Sequence, residues 1–298
     1  MEIITTTSEM RRLRAALPGS VAFVPTMGFL HEGHLALMRE GLRRCDHLVA
    51  SIFVNPTQFG PGEDIEKYPR DPEGDAQKCR ELGCDFLFTP TVDQIYAPDH
   101  STVITVKGLG NTLCGSSRPG HFDGVTTVVT KFFSILAPDM AVFGQKDYQQ
   151  LAIVRRMVRD LNLPVEIADI PTVREHDGLA MSSRNRYLDD EQRAQATVLS
   201  RALLTAHRAY QEEGLRKPSA LIERARAIIE ANSQGRIDYL QLVDPHTMFP
   251  VVEAPDRGDG ALLATAVFFD DTRLIDNIRL DQPLPKALLR ARSVACQS

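Results

Sequence analysis

The sequence predicts an α/β fold with a Rossmann-like, doubly wound parallel sheet, followed by a second, smaller α/β domain. Two observations carry this prediction. Over about the first 180 residues, short apolar runs typical of buried strands alternate with apolar residues at helical spacing. After Leu188 the pattern changes to long amphipathic helices and then to short strands. We place the domain boundary shortly before this change, between residues 184 and 185.

The individual elements follow from apolar periodicity and from Gly and Pro positions. Expected strands are 21–24, 47–54, 84–88, 102–106, 140–143, 163–170, 237–243, 261–269 and 273–275. Expected helices are one carrying Leu35, Met38 and Leu42, then 72–82, 125–136, 148–161, 190–213 and 219–231. The polar, Gly- and Pro-containing segments 57–71 and 108–124 are expected to be loops, and 280–298 has few structural signals.

Composition limits the class of protein and of partner. The 298 residues suffice for one large or two ordinary domains, and 43% hydrophobic with 24% charged residues is typical of a soluble globular protein. A net charge of −5, from 34 basic and 39 acidic residues, argues against nucleic acid or an anionic membrane as a partner. No apolar run approaches the roughly 18 residues of a membrane helix, and no signal peptide is visible. Five cysteines without a C-x-x-C pair fit a reducing cytoplasm.

The stretch from Pro25 to His34 lies between an expected strand and an expected helix. Such a turn presents backbone N–H groups and the positive end of a helix dipole, which favour a bound anion. Gly28 and Gly33 let a ligand approach the backbone closely. His31 and His34 are three residues apart, so at a helix start both imidazoles can point the same way and donate to phosphate oxygens. This stretch therefore predicts a phosphate site.

Two other interpretations of the histidine pair stay open on the residues alone. Both rings could be ordinary hydrogen-bonded groups at a helix start. A zinc pair is the second possibility, but the spacing of His31 and His34 differs from the i, i+4 spacing of the zincin motif. No nearby Cys or third His completes a tetrahedral set.

Two more polar clusters have the residue types of a nucleotide site. The run from Gly144 to Gln150 begins where an expected strand gives way to a helix. Lys146 can meet phosphates there, or be simply solvated, and Gln150 projects from the same face one turn later. The run from Met181 to Asn185 holds two hydroxyls and a guanidinium, which can bind phosphate oxygens.

These motifs resemble those of the pantothenate synthetase (pantoate–β-alanine ligase) family. The family belongs to the superfamily of nucleotidyl transferases that share a His-x-Gly-His motif with class I aminoacyl-tRNA synthetases. The matching stretches follow one another along almost the whole chain. They are Pro25–Gly28 with His31–His34, Asn55–Phe59, Ser117–Phe122, Gly144–Gln150, Met181–Asn185 and Thr272–Asn277.

The resemblance implies a two-step reaction. Pantoate's carboxylate attacks the α-phosphorus of ATP to give a pantoyl adenylate and pyrophosphate, and β-alanine's amine then attacks the acyl carbon and releases AMP. ATP would be a substrate, Mg²⁺ a cofactor with ligands that the sequence does not identify, and the assembly a homodimer. Residues 1–184 would form the Rossmann-like ATP- and pantoate-binding domain, and residues 185–298 a smaller C-terminal lid or α+β domain.

The resemblance also implies roles for particular residues. Catalytic roles fall to His34, His31, Lys146 and Arg184. Gln58 and Gln150 would hold pantoate, with Arg118 as a further substrate-binding residue. The ATP-binding residues would be Met27, Gly28, Phe29, Leu30, His31, Glu32, Gly33, His34, Gly144, Gln145, Lys146, Asp147, Val173, Met181, Ser182, Ser183 and Arg184.

The chemistry of the residues is consistent with adenylation. No G-x-S-x-G motif and no Cys in a matched stretch supplies a nucleophile, so catalysis by positioning and charge stabilisation is expected. One alternative is a nucleotidyltransferase of the same superfamily that adenylates a phosphate. Gln58 and Gln150 argue against it, because a phosphate acceptor favours Arg or Lys. A non-catalytic nucleotide-sensing module is the other alternative.

Overall fold

The computed structural model describes residues 1–255 and 260–284. Their contacts divide the chain into two compact units. The first unit consists of Met1–Gly110, Arg118–Gln145 and Ile153–Ile170. The second consists of Asn111–Ser117, Lys146–Ala152 and the described residues from Pro171 onward. Each unit combines helices with a sheet, and the predicted fold class is confirmed. The assignment of residues 1–184 and 185–298 to two functional domains stays a prediction.

The elements are numbered in chain order. The strands are β1 (Glu2–Ile4), β2 (Val21–Thr26), β3 (His47–Ile52), β4 (Phe86–Phe88), β5 (Met140–Gly144), β6 (Glu166–Ile170), β7 (Arg236–Val243), β8 (Leu262–Phe269) and β9 (Thr272–Arg279). The helices are α1 (Thr7–Ala16), α2 (Glu32–Arg44), α3 (Pro72–Leu82), α4 (Val92–Ile95), α5 (Leu113–Ser117), α6 (His121–Leu136), α7 (Tyr148–Asp160), α8 (Asp190–Ala196), α9 (Val198–Gln211) and α10 (Pro218–Asn232).

The first unit contains a six-stranded sheet in the order β1-β4-β3-β2-β5-β6, and its neighbouring strands are parallel. From β2 the chain adds β3 and β4 on one side and later β5 and β6 on the other. The direction of growth therefore reverses between β2 and β5. In open α/β sheets such a switch point is where ligands bind, outside the carboxyl ends of the strands.

Strand β2 is covered on both faces. Phe23 is fully buried and meets Phe132 of α6 edge to face, with ring centroids 5.7 Å apart. Val24 points to the other face, because side chains alternate along a strand, and it shares a buried cluster with Met38 of α2. Burial on both faces explains why residues 21–24 form a continuous apolar run without alternation.

The second unit contains an antiparallel sheet in the order β7-β8-β9. Its core combines the sheet with α9 and α10: Leu263 of β8 and Ile278 of β9 share one buried cluster with Leu203 of α9 and Leu221 of α10. Such a sheet with helices packed against it forms the smaller α/β layer that the sequence predicts.

The predicted strand 102–106 is wrong. This segment has no strand assignment, and its backbone instead bonds to threonine side chains of α6. Ile104 N donates to Thr127 Oγ1 at 3.0 Å, and Thr126 Oγ1 donates to the carbonyl of Ile104 at a short distance. The backbone of this segment therefore forms its hydrogen bonds with side chains of a helix, although its alternating apolar pattern is that of a strand. Strand β1, at the edge of the six-stranded sheet, was not predicted.

One predicted helix and one predicted loop also differ from the structure. The predicted helix 190–213 is two helices, α8 and α9, separated at Thr197. Thr197 Oγ1 donates to the carbonyl of Ala194 at 2.8 Å, so its side chain competes with the backbone bonds of a continuous helix. The predicted loop 108–124 contains α5 and the first turn of α6.

No helix in the described part of the chain is long and apolar enough to cross a membrane. The segment 280–298, for which the sequence gives few signals, is described only as far as residue 284. The remainder of that prediction lies outside the described residues.

Candidate nucleotide and acid site

The carboxyl ends of β2 and β5 lie side by side at the switch point of the first unit. Ala22 of β2 is the parallel partner of Met140 of β5. Strand β2 ends at Thr26, within the predicted phosphate stretch, and β5 ends at Gly144, the first residue of the predicted lysine stretch. The topology therefore starts both stretches at the edge where such sheets bind ligands.

The turn after β2 has a left-handed backbone. Gly28 has a φ of 87°, and Phe29 has a φ of 51°, which is uncommon for a residue with a side chain. A Cβ at position 28 would lie 2.9 Å from Ile52 Cγ2 and 3.2 Å from Asp75 Oδ2. Both the backbone conformation and the lack of space therefore require glycine here.

Two side chains of α3 hold this turn. Asp75 is 1% exposed, and its Oδ2 and Oδ1 accept the backbone N–H groups of Phe29 and Leu30, each at 2.7 Å. Lys78 Nζ donates to the carbonyl of Leu30 at 2.9 Å and lies 3.8 Å from Asp75 Oδ1. Burial raises the pKa of Asp75, while the two N–H donors and Lys78 oppose that shift. Helix α3 thus fixes the backbone that leads into α2.

His31 and His34 form a reciprocal cap at the start of α2. His31 Nδ1 accepts from Gly33 N at 3.1 Å, and His34 Nδ1 accepts from His31 N at 3.3 Å. Because both Nδ1 atoms accept, each neutral ring carries its proton on Nε2. The ring centroids are 4.0 Å apart and the rings are inclined by 32°. Two Nε2–H donors on adjacent rings at a helix N-terminus suit a bound phosphate.

Two residues of the predicted phosphate stretch use their side chains elsewhere. Leu30 is 3% exposed and belongs to the buried cluster under α2. The carboxylate of Glu32 pairs with Arg39 on the same helix. A nucleotide would therefore meet these two positions mainly through their backbone.

Gln58 ends a 3₁₀ turn, Pro56–Gln58, that follows β3. Asn55 is 1% exposed and orients this turn, because its Nδ2 donates to Gln58 Oε1 at 3.2 Å and its Oδ1 accepts from Tyr96 Oη at 2.8 Å. Gln58 Nε2 donates to Met27 Sδ at 3.1 Å. The amide of Gln58 therefore lies directly beside the turn after β2.

Arg118 also lies beside Gln58, but its charge is paired. Its guanidinium donates from Nε to Glu63 Oε1 at 2.7 Å and from Nη2 to Oε2 at 2.6 Å. Nη2 further donates to the carbonyl of Gln58 at 3.3 Å. These contacts of the guanidinium are to groups on the loop that carries Gln58, and Nη1 also lies 3.1 Å from His121 Nε2 of α6.

The residues after β5 are held by different partners in the two units. In the first unit, Gln145 Nε2 donates to Asp169 Oδ2 at 2.6 Å. In the second unit, the carbonyl of Lys146 accepts from Asn277 Nδ2 of β9 at 2.8 Å. Lys146 Nζ lies 3.9 Å from Asp147 Oδ1, and its side chain is 20% exposed. Strand β9 therefore fixes the backbone from which this ammonium group projects.

The first turn of α7 carries two neighbouring glutamines with different environments. Gln149 is buried, accepts from Cys114 N at 3.0 Å and donates to the carbonyl of Thr112 at 2.7 Å. Gln150, the predicted pantoate residue, is half-buried. Gln149 thus has a structural role in the second unit, and Gln150 stays the candidate for substrate.

The loop with the remaining predicted ATP residues is built around a short β-bridge in the second unit. Met181 N donates to the carbonyl of Val173 at 3.0 Å. Ser182 then caps a 3₁₀ turn, Ser183–Tyr187, with its Oγ accepting from Arg184 N at 3.2 Å. Ser182 therefore orients the backbone of the next two predicted residues.

A buried ion pair ties this loop to β9. Arg174 Nη1 and Nη2 donate to Asp276 Oδ2 and Oδ1 at 2.6 and 2.8 Å, and both side chains are 2% exposed. The neighbouring Asn277 holds Lys146. The matched stretch Thr272–Asn277 therefore positions two segments that the sequence predicts to contact ATP.

Sequence reasoning gave no role to Asp75, Asp276 or Glu63. A signal existed for the first two: Asp75 shares the buried face of α3 with Cys79, and Asp276 shares the inward face of β9 with Leu274. A carboxylate on an apolar stripe is unusual and calls for a partner. No such pattern marks Glu63, because it lies in a loop and its partner is 55 residues away.

Within residues 1–255 and 260–284, no group of three or more His, Cys, Asp or Glu side chains is arranged to hold a metal ion. The zinc interpretation of His31 and His34 therefore has no support in the described structure.

The switch-point sheet, the left-handed turn and the capped imidazole pair define an α/β nucleotide-binding protein of the His-x-Gly-His type. A sequence model described as pantoate-beta-alanine ligase matches residues 2–279, and the chain belongs to this ligase family.

Similar proteins agree with this assignment. A pantothenate synthetase of Syntrophotalea carbinolica is 53% identical over 281 residues, which cover 93% of this chain and 98% of the relative. The crystal structure of pantothenate synthetase from Thermus thermophilus superimposes with a TM-score of 0.88 at 46% identity, covering 95% of this chain and 100% of the other. A pantoate-beta-alanine ligase from Francisella tularensis, complexed with beta-gamma ATP and beta-alanine, has a TM-score of 0.78 at 31% identity, covering 95% and 99%. Neither a phosphate-adenylating enzyme nor a nucleotide-sensing module is supported.

The contacts of Asp75 generate a prediction about ATP. In Asp75→Asn one acceptor becomes an NH₂ group, so one of the two N–H groups of Phe29 and Leu30 loses its partner. We expect kcat/KM for ATP to fall by about 10²-fold, since a small displacement of a binding loop has effects of that size. Steady-state kinetics with varied ATP measures this, and Glu73→Gln, an exposed change on the same helix, is the control. Unchanged kinetics in Asp75→Asn would show that the turn does not depend on this carboxylate.

Proposed function

We propose that the chain condenses pantoate with β-alanine in two steps. Pantoate's carboxylate displaces pyrophosphate from the α-phosphorus of ATP and forms a pantoyl adenylate. The amine of β-alanine then attacks the acyl carbon, loses a proton and displaces AMP, which leaves pantothenate. The observation that carries this proposal is the His31–His34 pair, with its two Nε2–H donors at the N-terminus of α2, in a chain of the ligase family.

In this proposal the nucleotide is bound by three stretches. They are Met27–His34, Gly144–Asp147, and Val173 with Met181–Arg184. His34 is the chief stabiliser of charge on the phosphorus, with His31 beside it, and Lys146 and Arg184 counter phosphate charge. The left-handed turn, the fixed backbone at Lys146 and the Ser182 cap support it, because they fix the backbone segments from which these groups project. The complex of the Francisella tularensis ligase with beta-gamma ATP supports it as well.

Mg²⁺ is proposed to reach the site with ATP, held mainly by phosphate oxygens and water. The donor set fits this mode of binding. The most buried acidic side chain near the turn, Asp75, already uses both oxygens for backbone N–H groups. Mg²⁺ commonly keeps several waters and needs few protein carboxylates. When bound, it would neutralise charge on the leaving pyrophosphate.

We propose that the acid substrate is held by the neutral amides of Gln58 and Gln150. Each amide can donate to a carboxylate and accept from a hydroxyl of pantoate. A carboxylate that must act as a nucleophile is better served by amides than by a tight ion pair, because an ion pair would stabilise the ground state more than the transition state.

A cytoplasmic homodimer is part of the same proposal. The dimer rests on the family resemblance. The location is supported by the free thiols of Cys45, Cys79, Cys84 and Cys114, which fit a reducing compartment.

The reaction itself gives the first test of this proposal. We expect pantothenate and AMP only when ATP, pantoate and β-alanine are all present, and pantoate-dependent exchange of pyrophosphate into ATP without β-alanine, because adenylation precedes amide formation. Chromatography of products and an isotope-exchange assay measure both. If no acid supports exchange, a nucleotide-sensing role gains support. Exchange supported by a phosphate compound in place of pantoate would favour a nucleotidyltransferase that adenylates a phosphate.

The second test concerns charge stabilisation. We expect His34→Ala and Lys146→Ala each to lower kcat by about 10²-fold or more, because each removes a donor aimed at charge that develops in the transition state. Circular dichroism checks that the fold is kept. The exposed residues His246 and Lys107, changed to Ala, serve as controls of the same type. Near-native kcat in either site variant would remove that residue from the proposed role.

The third test concerns the acid pocket. In Gln58→Glu or Gln150→Glu, a carboxylate about 4 Å from that of pantoate adds repulsion on the order of 4 kcal/mol at an effective dielectric near 20, before solvent and protonation reduce it. We expect a large rise in the KM for pantoate and little change in the Kd for ATP measured without pantoate. Gln234→Glu, the same change at an exposed position, is the control. An unchanged KM for pantoate in both variants contradicts the assignment.

A further inference from the structure

We propose that Arg118 is a positioning residue for Gln58, anchored by Glu63, in place of the direct substrate contact that the sequence predicts. The inference rests on the proposed function, because it takes Gln58 as a pantoate-binding residue. Its observations all lie in the first unit and come from a cluster of three side chains, those of Glu63, Arg118 and His121, around the backbone carbonyl of Gln58.

The ion pair between Glu63 and Arg118 has paired-fork geometry. The two parallel N–H···O bonds measure 2.7 and 2.6 Å, and the side chains are 25% and 17% exposed for Glu63 and Arg118. Burial by itself would raise the pKa of Glu63. The hydrogen bonds and charge of Arg118 outweigh it, so the pKa lies below its ordinary value. Glu63 is therefore ionised at neutral pH and neutralises the guanidinium.

The same guanidinium reaches the backbone of Gln58. Arg118 Nη2 donates to the carbonyl of Gln58 at 3.3 Å, and His121 Nδ1 lies 2.8 Å from that oxygen. A carbonyl oxygen only accepts, so His121 carries a proton on Nδ1. In the neutral ring Nε2 then accepts from Arg118 Nη1 at 3.1 Å. Glu63, Arg118 and His121 thus form a continuous chain of hydrogen bonds that ends on the backbone of Gln58.

Helix α6 fixes the other side of this turn. A Cβ at Gly124 would lie only 2.4 Å from the carbonyl oxygen of Thr57. Asn55 Nδ2 joins the two segments, since it donates to the carbonyl of Gly124 at 3.1 Å and to Gln58 Oε1 at 3.2 Å. The turn is therefore packed against α6 on one side and held by Arg118 on its last carbonyl. A shift of the guanidinium would move the residue whose amide is assigned to pantoate.

The negative charge of Glu63 distinguishes a positioning role of Arg118 from direct binding of pantoate by Arg118. If Arg118 binds pantoate, Glu63 competes with the substrate for one guanidinium, so its removal should leave the KM for pantoate unchanged or lower it. If Arg118 positions Gln58, loss of the Glu63 anchor should raise that KM. The two roles therefore predict effects of opposite sign for one substitution.

The experiment uses the full chain and the variant Glu63→Gln. Its amide can accept one N–H bond but presents NH₂ to the second, so the paired-fork contact is lost. We expect the KM for pantoate to rise about 10-fold or more, with the Kd for ATP, measured without pantoate, changed less than about 2-fold. Glu66→Gln makes the same charge change at an exposed position in the same loop and should keep native constants.

Two further variants keep the test decisive. Arg118→Lys retains the positive charge but lacks the planar fork, so positioning predicts the same rise in the KM for pantoate, whereas a direct ionic contact would be largely retained. If Glu63→Gln does not fold, Glu63→Asp keeps the charge and shortens the side chain, and a smaller rise in the same constant is expected.

The outcomes separate this inference from the proposed function. An active wild-type chain with an unchanged or lower KM for pantoate in Glu63→Gln overturns the positioning role and leaves the reaction intact. An equal rise in the Kd for ATP also overturns it, because the effect would then not be specific to Gln58. A wild-type chain that makes no pantothenate overturns the proposed function instead.

Discussion

The turn after β2 depends on one constraint, the pair of hydrogen bonds that a buried carboxylate accepts from two consecutive backbone N–H groups. A left-handed conformation at a residue such as Phe29 costs about 1–3 kcal/mol, and a hydrogen bond to a charged group contributes about 1.5–3 kcal/mol. The two bonds from Asp75 can therefore offset the conformation, although burial of the carboxylate opposes them. The residue after this turn is Leu30, and the next is His31. The backbone that leads into the histidine cap is thus held by a carboxylate 45 residues further along the chain than Leu30.

The second unit uses a comparable device. The buried pair of Arg174 and Asp276 holds a loop to a strand, and Asn277 on the same strand holds Lys146. A buried ion pair contributes little net stability, because desolvation offsets attraction, but removing one partner leaves the other charge unpaired at a cost of about 3–5 kcal/mol. Its effect is therefore to exclude other arrangements of the loop. In both units buried polar side chains fix the backbone, and the groups assigned to substrate project from it.

Much of the fold could be predicted from the sequence because its signals are local. The apolar run of β2 and the apolar periodicity of α3 identify the elements, and alternation of strands and helices identifies the parallel sheet. The errors occurred where a distant partner decided the structure. Residues 102–106 have a strand pattern, but their backbone bonds to threonines of α6. The break between α8 and α9 has a local cause instead, because the Thr197 hydroxyl bonds back to the carbonyl of Ala194. The motif stretches identify candidate groups. The carboxylates that hold the backbone or side chains near them, such as Asp75 and Glu63, are 46 and 55 residues from their partners in sequence, so no local pattern reveals these contacts.

The distribution of charge around the proposed substrates follows from the chemistry of the first step. Negative charge is carried by the oxygens around phosphorus and by the leaving pyrophosphate, so cations such as Lys146 and Arg184 would help most by acting on phosphate oxygens. The attacking carboxylate must give up electron density, so a cation held against it would oppose attack. Arg118 is beside Gln58, yet its charge is matched by Glu63 in a bidentate pair. A cation next to the amide proposed to hold the acid is thereby compatible with a nucleophilic carboxylate, because its charge is neutralised by Glu63 and its N–H donors are used on Glu63, His121 and the carbonyl of Gln58.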